Sequence, residues 1–326
     1  MKTDQRAGES DLDEMEQAAV AIARDASAEL WRRFAGPLDV RYKSKRDKDP
    51  VTAADEAIEV LVRNAVRDRF PSHGVLGEEG ADRAAGAEFV WVVDPVDGTA
   101  NFANGMSMFA VSIGVLQRGV PVAAALYTAF GPDARPCIMH ARRGGGLFID
   151  GRPWSAADRS ASGRAGLVGV PAGFHRSFRF RILGGVPPGE TRSLGSIAVE
   201  MGLAAAGGLQ YAIFSSPKVW DVAAGVLLVQ EAGKVVYTDR AGTWEILRRF
   251  DAPAGRPLRD WKQAVIAGDP GVLGRLIPRT RVRHTPLQVA ERVIGPGWSA
   301  RAYRAARRLR PLFRVIGRGL GTFRRR

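Results

Sequence analysis

Apolar positions along the chain fall into two periods. In "LDEMEQAAVAIARDASAELWRRFAG", Met15, Ala19, Ile22, Ala26, Leu30 and Phe34 recur at three- and four-residue spacings, with a glycine just beyond Phe34. That spacing predicts a long amphipathic helix. A charged loop then leads into a second helical pattern, "AADEAIEVLVRNAVRDRF", with Thr52 as its N-cap and Asp55 three positions later. The period shortens at "FVWVVD", an apolar run of strand length that reads as a buried strand. Residues 107–150 alternate β-rich runs with turns at 117–119, 144–146 and 150–151, the pattern of antiparallel hairpins. Beyond about residue 160 the runs are shorter: "GLVGV" as a strand, "SIAVEMGLAAAGG" as a helix, "LQYAIF" as a strand, and "VWDVAAGVLLVQEAG" as a helix closed by Gly233. The whole predicts one layered α/β domain in two halves that meet near residues 150–165, with no internal repeat.

Composition sharpens this picture in three places. A hydrophobic share of 45% over 326 residues is ample for a large core. No stretch of about 18 uncharged apolar residues occurs, and the polar, acidic start is unlike a signal peptide, so the expected location is cytoplasmic. The single cysteine, Cys137, excludes an internal disulfide and a cysteine-based zinc site. The net charge of +14 is unevenly spread: residues 279–326 hold 14 arginines against one acid, Glu291, and the rest of the chain is almost neutral. Body and tail therefore need separate explanations.

Four short stretches place carboxylates at element ends: "DPVTAAD" with Asp49, "GEEG" with Glu78 and Glu79, "DPVDGT" with Asp94 and Asp97, and "WDVAAG" with Asp221. Buried, unpaired carboxylates are costly or become protonated, so such a cluster needs positive charge, and Lys and Arg are scarce in these stretches. A hard divalent cation such as Mg²⁺ is the natural counter-charge, since it prefers oxygen ligands. Asp94 and Asp97 would share or divide two ions, with the Val96 carbonyl turned inward and the amides of Gly98 and Thr99 facing the same place. Taken alone, an Asp-Gly turn after a strand is usually a structural cap.

The four stretches in this order resemble the inositol monophosphatase family, a group of Mg²⁺-dependent, lithium-sensitive phosphatases, over roughly residues 11–277. The resemblance implies a sandwich of alternating helix and sheet layers, with a phosphatase domain over residues 1–278 and an added basic tail over 279–326. It implies two or three Mg²⁺ ions held by Glu78, Asp94, Asp97, Asp221 and the Val96 carbonyl. Asp49 and Thr99 would orient and deprotonate the attacking water. The phosphate would lie against the backbone of Gly98, Thr99 and Ala100, with Gly195 and Ser196 of "LGSIA" beside the hydroxyl-bearing part of the substrate. The family is commonly dimeric, so a homodimer is expected.

The implied activity is hydrolysis of a small polyol or sugar monophosphate, with inositol 1-phosphate as the named candidate. Inositol-specific members carry a glutamate seven positions before the Trp-Asp aspartate, where this chain has Phe214. That departure keeps histidinol phosphate and 3′-phosphoadenosine 5′-phosphate open as substrates. A phosphate-binding module without turnover is the reading from another class, and the complete set of acids argues against it. Glu79 reads as a surface or supporting acid, Lys218 as a solvated lysine, and His73 and His140 as residues without a catalytic role.

The tail has its own pattern. Trp298, Ala302, Ala305, Leu309, Leu312 and Ile316 fall on one helical face flanked by Arg301, Arg304 and Arg308. A basic amphipathic helix of this kind suits an anionic membrane surface, which would place the protein at the periphery of the inner membrane. Nucleic acid is the less favoured partner, and a solvated or docked tail is the third reading.

Overall fold

In the computed structural model the first apolar period folds as α1 (Glu9–Phe34), and the second as α2 (Ala53–Arg69). The structure describes residues 8–34, 40–42, 50–80, 86–155, 166–181, 188–252 and 256–282. Asp49 and the amphipathic pattern at 298–316 lie outside these residues. Helix α1 begins three residues ahead of the quoted pattern because Glu9 and Asp11 populate its first turn, where acids complement the helix dipole, while Arg32 and Arg33 occupy the last.

Between and after these helices the chain forms β1 (Val40–Tyr42), β2 (Pro50–Thr52), β3 (Gly74–Gly77), β4 (Phe89–Asp97), the short helix α3 (Thr99–Ala103), β5 (Ala110–Gln117), β6 (Val120–Thr128), β7 (Cys137–Arg142), β8 (Phe148–Ile149) and β9 (Arg152–Pro153). Strands β3 to β9 make a seven-stranded sheet in chain order. Only β3 and β4 run parallel in it; the remainder are the antiparallel hairpins expected from the turn signals.

The second half contributes β10 (Leu167–Gly169), α4 (Phe174–Ser177), β11 (Phe178–Phe180), β12 (Glu190–Arg192), α5 (Ile197–Ala206), β13 (Tyr211–Phe214), α6 (Val219–Glu231), β14 (Val235–Arg240), β15 (Thr243–Ile246), β16 (Val265–Gly268), α7 (Pro270–Leu276) and β17 (Thr280–Val282). A six-stranded sheet forms in the order β12-β10-β13-β16-β14-β15. The apolar pattern leaves β14, β15 and β16 unassigned; β16 gains its place by pairing with β13, β14 by pairing with β16, and β15 by pairing with β14.

The layers follow from which face each residue enters. Helices α1 and α2 cover one side of the seven-stranded sheet, and α5 and α6 lie between its other side and the six-stranded sheet. Strand β5 shows the division: Val111, Ile113 and Val115 enter the core under α1 and α2, whereas Ala110 and Leu116 enter the core under α5 and α6. Both faces of β4 are covered in the same way, which is why "FVWVVD" lacks polar alternation.

Helix α6 approaches β5 so closely that only glycine fits at 114: a Cβ there would stand 2.9 Å from the Ala224 amide nitrogen and 3.0 Å from the Ala223 carbonyl carbon. Gly114→Ala is expected to lower stability by about 1–3 kcal/mol through overpacking, measured by urea denaturation. A change within about 0.5 kcal/mol would contradict this packing.

Candidate active site

The site begins where β4 loses register with β5. Asp94 pairs with Ser112 and Asp97 with Ala110, so three steps along β4 match two along β5. One extra residue in a strand is a bulge, and it cancels the alternation that would send residues three apart to opposite faces. Asp94 and Asp97 therefore share the face that looks toward α5 and α6. Val96 instead packs its side chain into the core under α1 and α2.

Two neighbours bring further acids to that face. Strand β3 runs parallel to β4 with Gly77 opposite Val93, so Glu78 emerges alongside Asp94. Ser112, opposite Asp94, donates its hydroxyl to the Trp220 carbonyl at 3.2 Å, which holds the first turn of α6 and its Asp221 over the same end of the sheet. Asp94 Oδ1 accepts from the Val96 amide at 3.1 Å, Asp97 Oδ2 from the Ala198 amide at 2.9 Å, and Asp221 Oδ2 from the Lys218 amide at 2.7 Å. Among the described residues no three acids, histidines or cysteines close around one point as these side chains stand. They are gathered within electrostatic reach, each of the three aspartates hydrogen-bonded to a backbone amide.

Their electrostatics state the same crowding. Burial, followed by the charges of Glu78, Asp97, Asp221 and Asp55, pushes the Asp94 carboxyl well above its ordinary range. Burial pushes Asp97 up to about 6, against the hydrogen bonds from Ser196 and Ala198 that favour its charged form. Burial and then Asp97 raise Asp221 well above the usual range, opposed by the Lys218 amide. Buried carboxylates that raise one another in this way fit a divalent oxygen-seeking cation, which removes both the burial penalty and the repulsion.

Thr99 opens α3 after Gly98, whose φ of 91° and close approach to the Met108 carbonyl require glycine. The Thr99 hydroxyl donates to the Val96 carbonyl at 2.8 Å and stands 3.3 Å from Oδ1 of Asp55. Asp55 is 1% exposed, so the acid read from sequence as an N-terminal helix residue is a buried member of the site. Ser196 caps α5, accepting from the Val199 amide at 3.2 Å. Gly195 stands beside Asn101, whose side-chain amide donates to the carbonyls of Met108 and Leu194, each at 2.7 Å, and so ties the turn after β4 to "LGSIA".

Four residues beyond the sequence motifs hold this arrangement. Glu59 of α2 accepts from the amides of Glu79 at 2.8 Å and Gly80 at 2.6 Å, and Arg63 bonds to it at 2.8 Å. Arg259 donates to the carbonyls of Gly77 at 2.9 Å and Gly80 at 3.1 Å from the opposite direction. The loop that presents Glu78 is thus gripped by an acid at its amides and a base at its carbonyls. Arg259 and Lys218 also lie over the Trp220 ring, each 5.6 Å from its centre. Glu200, pushed up to about 7 by burial, accepts from the Leu194 amide at 2.7 Å. The two histidines lie elsewhere: His73 accepts from Trp91 at 3.1 Å, and His140 pairs with Glu16 at 2.6 Å.

Known proteins are similar to this chain in sequence and fold. The model of the inositol monophosphatase family matches residues 11–277. The chain is 35% identical over 254 residues to the Nus factor SuhB of Pseudomonas aeruginosa, covering 73% of this chain and 89% of that one. It is 32% identical over 251 residues to the inositol-1-monophosphatase of Mesorhizobium japonicum, covering 75% and 91%. The solved structure of inositol monophosphatase from Anabaena superposes with a TM-score of 0.58 at 25% identity, over 82% of this chain and 98% of that one.

The raised carboxyls give a test through stability. A carboxyl raised in the folded state costs nothing below its unfolded value, near 4, and its full cost appears above its folded value. With a chelator present, the melting temperature should therefore fall as pH rises from about 4 through about 6, and the increment from saturating Mg²⁺ should grow over the same range. An increment independent of pH would refute the cluster as the cation site.

Proposed function

The chain belongs to the inositol monophosphatase family, and we propose that it is a Mg²⁺-dependent phosphomonoesterase acting on a small polyol or sugar monophosphate, inositol 1-phosphate first among them. The observation that carries this reading is the bulge in β4, which turns Asp94 and Asp97 to one face beside Glu78 and Asp221. Two or three Mg²⁺ ions held by these four acids and the Val96 carbonyl would lower the pKa of a water and neutralise the leaving alkoxide. A carbonyl has two lone pairs, so Val96 can serve there while accepting from Thr99.

The chain's own groups do the positioning. Thr99, with its hydroxyl anchored on Val96 and next to Asp55, orients the attacking water, and Asp49 takes its proton. The amides of Gly98, Thr99 and Ala100 receive the phosphate, and Gly195 with Ser196 faces the remainder of the substrate. No covalent intermediate with the protein is required.

Phe214 sets the substrate question. It is buried in the core beneath α5 and α6, at the position where inositol-specific relatives place a glutamate, and its ring cannot accept a hydroxyl hydrogen bond. A missing polar partner of this kind is worth about 1–3 kcal/mol. Histidinol phosphate and 3′-phosphoadenosine 5′-phosphate therefore belong in the same assay as inositol 1-phosphate. We also take residues 1–278 as the catalytic body and 279–326 as a basic addition, whose first described residues, Thr280–Val282, pair with β11 as β17.

Asp94→Asn keeps the side-chain size and removes the charge. Phosphate release at saturating Mg²⁺ is expected to fall by about a thousandfold or more. Activity near that of the unsubstituted enzyme would refute the assignment. A panel of the named monophosphates, with and without Mg²⁺, should show release only with the ion, and a chain that turns over none of them would contradict the substrate class.

A further inference from the structure

A basic ridge lies on the ribbon formed by β11 and β17, which pair as a separate two-stranded sheet. Backbone pairing joins them where the Arg181 amide donates to the Arg279 carbonyl at 2.7 Å. Burial alternates along both edges: Phe178, Phe180 and Thr280 are buried, whereas Arg179, Arg181, Arg279 and Arg281 are exposed. Arg179 alternates with Phe178 and Phe180 in β11 and Arg281 follows Thr280 in β17, whereas Arg181 and Arg279 flank the paired strands; the buried residues anchor the ribbon and all four arginines are exposed around it. Arg176 of α4 and Arg275 of α7 are exposed as well.

Within the segments that carry it, nothing acidic offsets this charge. Residues 171–189 and 270–281 contain these six arginines and no aspartate or glutamate. The ion pairs among the described residues leave all six out. Six like charges held on a folded surface repel one another, which is a standing cost unless an anion is brought to them.

We propose that the β11–β17 ribbon is a docking surface for the phosphodiester backbone of a nucleic acid. Three features select that partner. The cations are all arginine, whose planar fork matches phosphate oxygens bidentately, whereas lysine offers only a point charge. They gather at the two paired strands and the segments that flank them, which suits an anion carrying several phosphates. The ribbon also lacks an apolar wedge: Val60, Met106 and Ile246 are the exposed large apolar side chains of the described residues, and none belongs to it. A bilayer surface would reward such a wedge as well as the charge. Contacts to phosphate carry no base sequence, so binding is sequence-independent and steeply dependent on salt.

The test compares the full-length chain with one carrying Arg179→Gln, Arg181→Gln, Arg279→Gln and Arg281→Gln. Both keep the same residues 283–326, so any difference belongs to the ribbon. Anisotropy of a labelled random-sequence single-stranded RNA is followed across a potassium chloride series, beside co-sedimentation with phosphatidylserine vesicles. Four lost phosphate contacts at about 0.7 each should reduce the salt slope by roughly 3 and weaken binding by at least about tenfold at low salt. Equal affinity and slope in the two proteins would overturn the proposal, as would loss of vesicle binding with RNA binding unchanged. Circular dichroism melting reports whether the variant is folded. Should it melt early, the pair Arg179→Gln and Arg281→Gln is used, with half the slope change expected and an unchanged slope again fatal.

Discussion

The structure turns on repulsion between carboxylates held at one end of a buried strand. Asp94 and Asp97 are each nearly inaccessible, at 3% and 6% exposed, and they share a face only because β4 carries one residue too many against β5. Two such groups would ordinarily protonate or unfold their surroundings. Here the packing on both faces of the seven-stranded sheet is extensive enough to hold them. Valines and tryptophan of β4 fill one core, while alanines of α5 and α6 pack tightly against the other.

Helix starts contribute the second restraint. Asp97 accepts from the beginning of α5 and Asp221 sits in the first turn of α6, so two sets of unsatisfied amides face the acids. These dipoles favour the charged form of each aspartate without neutralising the group as a whole. The acids are left close together with their mutual repulsion uncompensated. The grip of Glu59 and Arg259 on the loop at 77–80 extends the same logic: a loop carrying an acid toward other acids would drift away from them unless its backbone were held.

How much of this was legible in the chain follows from the range of each interaction. Helical period and strand runs are local, so α1, α2, α5, α6 and β4 could be read directly, as could the acids of "GEEG", "DPVDGT" and "WDVAAG". The face shared by Asp94 and Asp97 was not, because the bulge is a property of two strands. Asp55 carried a local explanation, as a residue of the first helical turn, that concealed its approach to Thr99. Asn101, Glu200, Glu59 and Arg259 act on backbone groups, two of them far away in sequence, and no side-chain motif marks such a partner. The arginines of the ribbon were visible only as tail charge or as scattered residues until β11 and β17 paired.

The acidic centre and the basic ribbon demand opposite things of the same ion. Uncompensated carboxylates repel a phosphate ester, so under the proposed function the centre would hold its substrate only with a divalent cation bound. The guanidiniums attract phosphate unaided, and divalent cations condensed on a polyanion weaken that attraction by lowering the entropy gained on counterion release. On the two proposals together, rising Mg²⁺ would favour the centre and disfavour the ribbon. The two proposed phosphate-directed features would in this way be separated by physical chemistry: one built from buried acids that take an ion, the other from exposed bases that compete with it.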